Sequence, residues 1–163
     1  MRVVKGAPMC VEVMETWESA IQCRAANQRE TILLVEDEAF VREVTSEVLR
    51  SAGYQVLVAS SAVEAERLFD VCGGDLQLLL TDVILPGETG RVLAEELRQK
   101  KTELKVLLVT GYAEEMAALE AGQMECLRKP FSTVALLRRV RQLLNHSGSS
   151  EPEDEVRPAC GNG

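Results

Sequence analysis

The chain has 163 residues, enough for one domain with tails, and 46% of them are hydrophobic, which supports a packed core. Aromatic residues make up only 4%, so aliphatic side chains must do most of the packing. A formal charge of −8 argues against a nucleic-acid or anionic-membrane surface, which would need a basic patch.

Cysteines stand at 10, 23, 72, 126 and 160, with no CxxC pair and no Cys/His metal spacing. An odd, scattered set suggests reduced thiols and a cytoplasmic protein. The one histidine, His146, lies in a polar stretch near the end, which disfavours His-based catalysis. No apolar run approaches the ~18 residues of a membrane span. Acidic residues break the N-terminal stretch before a signal-peptide core forms, so neither a membrane nor a secretory role is expected.

Residues 1–29 form a leader. Cys10, Val13, Met14, Trp17 and Ile21 recur at helical spacing with acids between them. This predicts an amphipathic helix that packs on the domain or on a second copy, or links to a larger protein. A weakly ordered leader is the plain alternative.

Residues 30–146 form the main domain. TILLV (31–35) predicts a strand. Phe40, Val41, Val44, Val48 and Leu49 mark one face of a helix that Gly53 ends. YQVLVA (54–59) predicts the second strand. Ser60 or Ser61 caps a helix with Ala62, Ala65, Leu68 and Phe69 on its apolar face. LQLLLT (76–81) is the third strand, followed by a helix over 90–99 carrying Val92, Leu93 and Leu97. KVLLVT (105–110) is the fourth strand and AEEMAALEAG (113–122) a short helix. MECLR (124–128) is the fifth strand. Ser132 caps a last helix with Val134, Leu137, Val140, Leu143 and Leu144. Residues 147–163 are polar and acidic, lack apolar anchors and are expected to be a disordered tail.

Strand and helix alternate five times. That predicts an α/β fold with a parallel sheet and helices on both faces, because parallel strands need crossovers. The strands are apolar continuously, as strands buried on both faces are. Ligand sites in such sheets lie outside the carboxyl ends of the strands.

Those ends present Glu36-Asp37-Glu38, then Asp82, then Thr110-Gly111, then Lys129-Pro130. Clustered carboxylates repel unless a cation joins them. Hard oxygen ligands at this density suit Mg²⁺. Lys129 is suited to hold an anionic group such as a phosphoryl, and Thr110 to donate a hydrogen bond to it. The chemistry that fits is phosphoryl transfer to Asp82, giving an aspartyl-phosphate.

The pieces LLVEDE, LLLTDVILPGETG, VLLVTGY and LRKPF follow one another in order, each at a strand end. With them, residues 30–145 resemble the receiver (CheY-like) domain of two-component response regulators. The wider run from ETILLVEDE to TGY is similar to receivers of hybrid histidine kinases. The resemblance implies a flavodoxin-like (βα)5 three-layer sandwich with strand order 2-1-3-4-5. It implies Asp82 as phosphoacceptor, Asp37 as direct Mg²⁺ ligand, Glu36 as a ligand through water, and the Ile84 main-chain carbonyl as a further ligand. It makes Thr110 the switch hydroxyl and Lys129 the partner of the phosphoryl group, and implies a cis bond before Pro130.

Two positions depart from the family pattern. The acidic pair is Glu36-Asp37 where two aspartates are often found. Cys126 occupies the place of a Tyr or Phe whose ring usually moves with the threonine. Tyr112 is the nearest aromatic, at a different position. The plain reading of Cys126 is a small core residue, and of Arg138, Arg139 and Arg141 a solvated face.

Three functions fit. One is a receiver that accepts phosphoryl from a sensor histidine kinase or a histidine phosphotransfer protein and signals by contact with a downstream protein, with homodimerisation open. The second is the terminal receiver of a hybrid histidine kinase. The third is a binding module that uses the fold without turnover. No P-loop or kinase motif is present, so the chain is expected to promote its own phosphorylation and dephosphorylation, not to make a phosphodonor. Ile84 and Tyr112 flank the expected path of the hydrolytic water and neither orients it, which predicts slow self-dephosphorylation.

Overall fold

A computed structural model describes residues 30–122 and 124–145. The helix expected in the leader, Cys10, Cys23, His146, the acidic tail and Cys160 lie outside the described residues. The elements run β1 (Thr31–Val35), α1 (Ala39–Ser51), β2 (Gln55–Ala59), α2 (Ala62–Cys72) and a 3₁₀ turn (Gly73–Asp75). Then come β3 (Leu76–Asp82), α3 (Gly90–Lys100), β4 (Lys105–Thr110), α4 (Ala113–Ala121), β5 (Cys126–Arg128) and α5 (Thr133–Asn145).

The five strands form one sheet in the order β2-β1-β3-β4-β5, with every neighbouring pair parallel. Successive side chains of β1 go to opposite faces, as the strand period of two dictates. Leu33 and Val35 join a core with Leu79, Leu93, Leu97 and Leu119, which seats α2, α3 and α4 on one face. Ile32 and Leu34 join Leu49, Leu80, Leu107, Leu136 and Val140, which seats α1 and α5 on the other. The result is three layers, and each fully buried leucine contributes about 1.5–3 kcal/mol relative to exposure. The β1–β3 register slips by one residue between Thr31 and Ile32, and the Gln77 side chain accepts the Thr31 N–H at 2.6 Å there.

Local chemistry sets the helix ends. Gly53 has φ 99° and follows α1, where its N–H donates to Arg50 O and that of Tyr54 to Leu49 O. Only glycine adopts that φ without cost, so α1 stops there. Ser61, not Ser60, caps α2 through the Glu64 N–H, and Ser132 caps α5 through the Ala135 N–H. Thr89 caps α3 through the Val92 N–H. The Lys101 ammonium donates to the carbonyls of Gly73, Gly74 and Leu76 at 2.9, 3.1 and 2.7 Å, tying the end of α3 to the 3₁₀ turn.

Several apolar stripes are corrected by the structure. On α1, Phe40 is 72% exposed and Val44 is also exposed, while Thr45, Ser46 and Leu49 are buried. The helix sits rotated, and Ser46 satisfies its hydroxyl on Glu43 O. Val92 and Val134 are exposed, and Ala94 and Leu136 are buried in their helices. The second strand begins at Gln55 and the fifth at Cys126, each later than the sequence pattern predicts. Among the described residues no helix is long and apolar enough to cross a membrane.

Candidate phosphoacceptor site

The carboxyl ends of β1, β3, β4 and β5 form one rim. Glu36 follows β1 directly and its N–H donates to Ala59 O, continuing the ladder for one residue. Arg42 of α1 reaches back to the carbonyls of Glu36 and Asp37 at 2.7 and 3.2 Å, which braces the acidic turn from outside. Asp82 is the last residue of β3. Lys129 follows β5, and its N–H donates to Thr110 O at 2.8 Å, locking the ends of β4 and β5 together. The Lys129–Pro130 peptide is cis.

At the centre, Lys129 Nζ lies 2.6 Å from Asp82 Oδ2 and 2.9 Å from Glu36 Oε2. The other Asp82 oxygen, Oδ1, accepts the Ile84 N–H at 3.1 Å. Carboxylate oxygens of Glu36, Asp37 and Asp82 all lie within 4.8 Å of one another. Glu36 is buried, Asp82 half-buried and Asp37 exposed, so the cluster runs from the core outward. Glu38 is exposed, and only its N–H turns back, to Glu36 Oε1.

The electrostatics follow from that placement. Burial pushes the Glu36 carboxyl above its ordinary value; Lys129 opposes the shift and Asp82 adds to it. Burial alone would lower the Lys129 ammonium, but its hydrogen bonds to Asp82 and Glu36 outweigh this and hold it above its ordinary value. Three formal negative charges face one ammonium. The surplus of negative charge, in an all-oxygen donor set, fits a small hard divalent cation.

Thr110 is 1% exposed, and its hydroxyl donates to Glu115 Oε2 at 2.5 Å while accepting the Tyr112 N–H at 3.1 Å. Its backbone is at the rim, but its hydroxyl is bound to α4. Tyr112 immediately precedes α4 with its ring exposed. Cys126 pairs with Leu108, two residues below the rim, and its side chain is buried in the core on the α2–α3–α4 side. Burial and then Glu120 push its thiol up.

Sequence reasoning missed three contributors. Gly90 opens α3 directly beneath Asp82: a Cβ there would stand 1.9 Å from Asp82 O. A glycine in the first turn of a helix, a poor helix former, was a usable signal of such an approach. Glu115 and Arg42 left no such signal, because their partners are set by how α4 and α1 pack.

A doubly wound parallel sheet with an acidic cluster and a lysine at its carboxyl rim defines a class of flavodoxin-like domains. The family model "Response regulator receiver domain" matches residues 32–141, more than half of the chain, and the chain belongs to that family. It is 38% identical over 117 residues to the sensor kinase CckA of Brucella abortus, a match covering 70% of this chain and 12% of that protein. It is 32% identical over 131 residues to the phosphate regulon transcriptional regulatory protein PhoB of Pseudomonas aeruginosa, covering 77% of this chain and 56% of that one. The chain thus spans little more than half of one relative's length and far less of the other's. Among solved structures, the response regulator TrrA of Thermotoga maritima in complex with Mg²⁺-BeF matches with a TM-score of 0.64 and 33% identity, covering 71% of this chain and 99% of that one.

Proposed function

We propose that the receiver unit, residues 30–146, accepts a phosphoryl group on Asp82 from the phosphohistidine of a sensor histidine kinase or a histidine phosphotransfer protein, and passes the signal on by protein contact. The observation that carries this reading is the Asp82 carboxylate held at a strand end by Lys129, beside two further carboxylates. An Asp82 oxygen forms a bond to phosphorus as the P–N bond of the donor breaks, and its electron pair returns to the imidazole nitrogen, which takes up a proton. Lys129 stays beside the oxygens that gain charge and costs no reorganisation when they do. Ile84 N–H fixes the orientation of the Asp82 carboxylate before attack. The Thr110 hydroxyl donates to the phosphoryl group afterwards.

Asp37, Glu36, Asp82 and the Ile84 carbonyl would hold Mg²⁺. Bound there, it would screen the repulsion among the carboxylates and offset charge on the transferring oxygens. That the TrrA structure holds Mg²⁺-BeF supports a divalent cation in this receiver by likeness.

The test is incubation with acetyl phosphate and Mg²⁺ followed by intact-mass measurement. The expected result is a gain of one phosphoryl in the parent and none in Asp82→Asn. No gain sinks the reading and favours a binding module without turnover; an equal gain in Asp82→Asn sinks it by placing the phosphoryl group on another residue. A second reading, the terminal receiver of a hybrid kinase, is favoured by the match to part of a sensor kinase. A kinase core in the neighbouring reading frame would support it.

A further inference from the structure

We propose that Glu115 is a positioning residue that holds Thr110 in its unphosphorylated arrangement and couples its release to helix α4. This rests on the reading of Asp82 as phosphoacceptor. The Thr110 hydroxyl has one proton, and that proton is given to Glu115 Oε2 at 2.5 Å. The oxygen meanwhile accepts the Tyr112 N–H. A hydroxyl engaged in this way cannot also donate to a group on Asp82. The phosphoryl group and Glu115 therefore compete for the same proton.

Three features make the competition consequential. Thr110 is 1% exposed, so water does not readily replace a lost partner. The acceptor is a carboxylate, and hydrogen bonds to charged groups are the stronger kind, worth about tenfold to a hundredfold in an equilibrium constant. The third is the anchoring of α4. Its buried residue is Leu119, with Met116 partly packed against the core, and the Glu115 bond ties its first turn to Thr110. Cys126 is a small buried side chain and has no ring to follow Thr110. The Thr110–Glu115 bond supplies a direct mechanical link from the rim to α4 in its place. Breaking it frees both the hydroxyl and the helix end, and by linkage whatever favours the freed helix favours the phosphorylated state.

The experiment measures the affinity of the full chain for beryllofluoride in saturating Mg²⁺ by calorimetry, together with backbone amide shifts. Glu115→Ala should bind about tenfold tighter than the parent. Free Glu115→Ala should show Thr110 and Tyr112 amide shifts moved toward those of the beryllofluoride-bound parent, which a merely structural loss would not produce. Glu115→Gln, which keeps an acceptor but not the charge, should fall between and serves as the test if Glu115→Ala does not fold. In a Thr110→Val background, Glu115→Ala should change affinity no further. Unchanged or weaker binding in both folded variants overturns the proposal, as does an equal gain in the Thr110→Val background. A parent chain that does not bind beryllofluoride overturns the phosphoacceptor reading instead.

Discussion

Gly90 lies so close beneath Asp82 that a Cβ would meet the Asp82 carbonyl oxygen at 1.9 Å and Thr81 Oγ1 at 2.8 Å. The first of these neighbours is backbone and has no rotamer to change. The strand that delivers the proposed nucleophile and the helix that follows it are therefore in direct main-chain contact, reinforced by the Gly90 N–H donating to Val83 O at 2.9 Å.

Gly90→Ala should be destabilising by about 1–3 kcal/mol, the usual range for overpacking. The sign is informative, because the same change at an open helical position stabilises by roughly 0.5–1 kcal/mol. Urea unfolding of parent and variant measures it. A variant as stable as the parent would mean that α3 does not press on Asp82.

The alternation of strands and helices was legible because strands buried on both faces leave long apolar runs and their helices carry caps and glycine stops. The proposed site residues were legible one by one because parallel strands all end on one edge, so a run such as LLLTD names its own rim residue. Which side of a helix faces the core was less legible. On α1 the exposed Phe40 and Val44 look like core positions, yet Thr45 and Ser46 are the buried ones, since a short hydroxyl can satisfy itself on the preceding turn and pack closely. Side-chain contacts between one element and another left no periodic trace. The Lys101 ammonium on three carbonyls and Glu115 on Thr110 depend on how two elements meet, which spacing along the chain does not encode.

Lys129 bridges Glu36 and Asp82, and its removal should change how stability depends on pH. Glu36 is already held above its ordinary value by burial, with Lys129 opposing. A carboxyl whose folded value is raised binds its proton more tightly when folded, so stability falls as pH rises from the unfolded value of ~4.3 through the folded one. The Lys129 contribution has the other window: it is complete below the unfolded ammonium value of ~10.4 and is lost as pH rises through its raised folded value. Lys129→Met removes the opposing charge, so Glu36 rises further and its window extends toward neutrality. The variant should lose more stability, relative to the parent, at about pH 7.5 than at about pH 5. Urea midpoints at the two pH values give this difference. A gap between parent and variant that is the same at both would show that Lys129 does not restrain Glu36.

Ile84 and Tyr112 frame the last expectation, the lifetime of the phosphorylated form. Ile84 is 50% exposed and joined to Asp82 through its N–H; Tyr112 is 63% exposed and joined to Thr110 through its own. Each main chain thus adjoins a proposed site residue, and each side chain is open to solvent. Hydrolysis of an acyl phosphate needs a water held and partly deprotonated as it attacks phosphorus. An isoleucine side chain has no polar atom for that, and a tyrosine hydroxyl is a weak acceptor. Self-dephosphorylation should accordingly be slow. Ile84→Asn and Tyr112→Glu each place an acceptor at that rim, and each should shorten the lifetime severalfold. Because both positions are exposed, stability should stay within about 0.5 kcal/mol of the parent, so a faster decay would not reflect unfolding. Decay of the phosphorylated mass after removal of acetyl phosphate is the measurement. If neither variant decays faster than the parent, the side chains at 84 and 112 do not govern access of the attacking water.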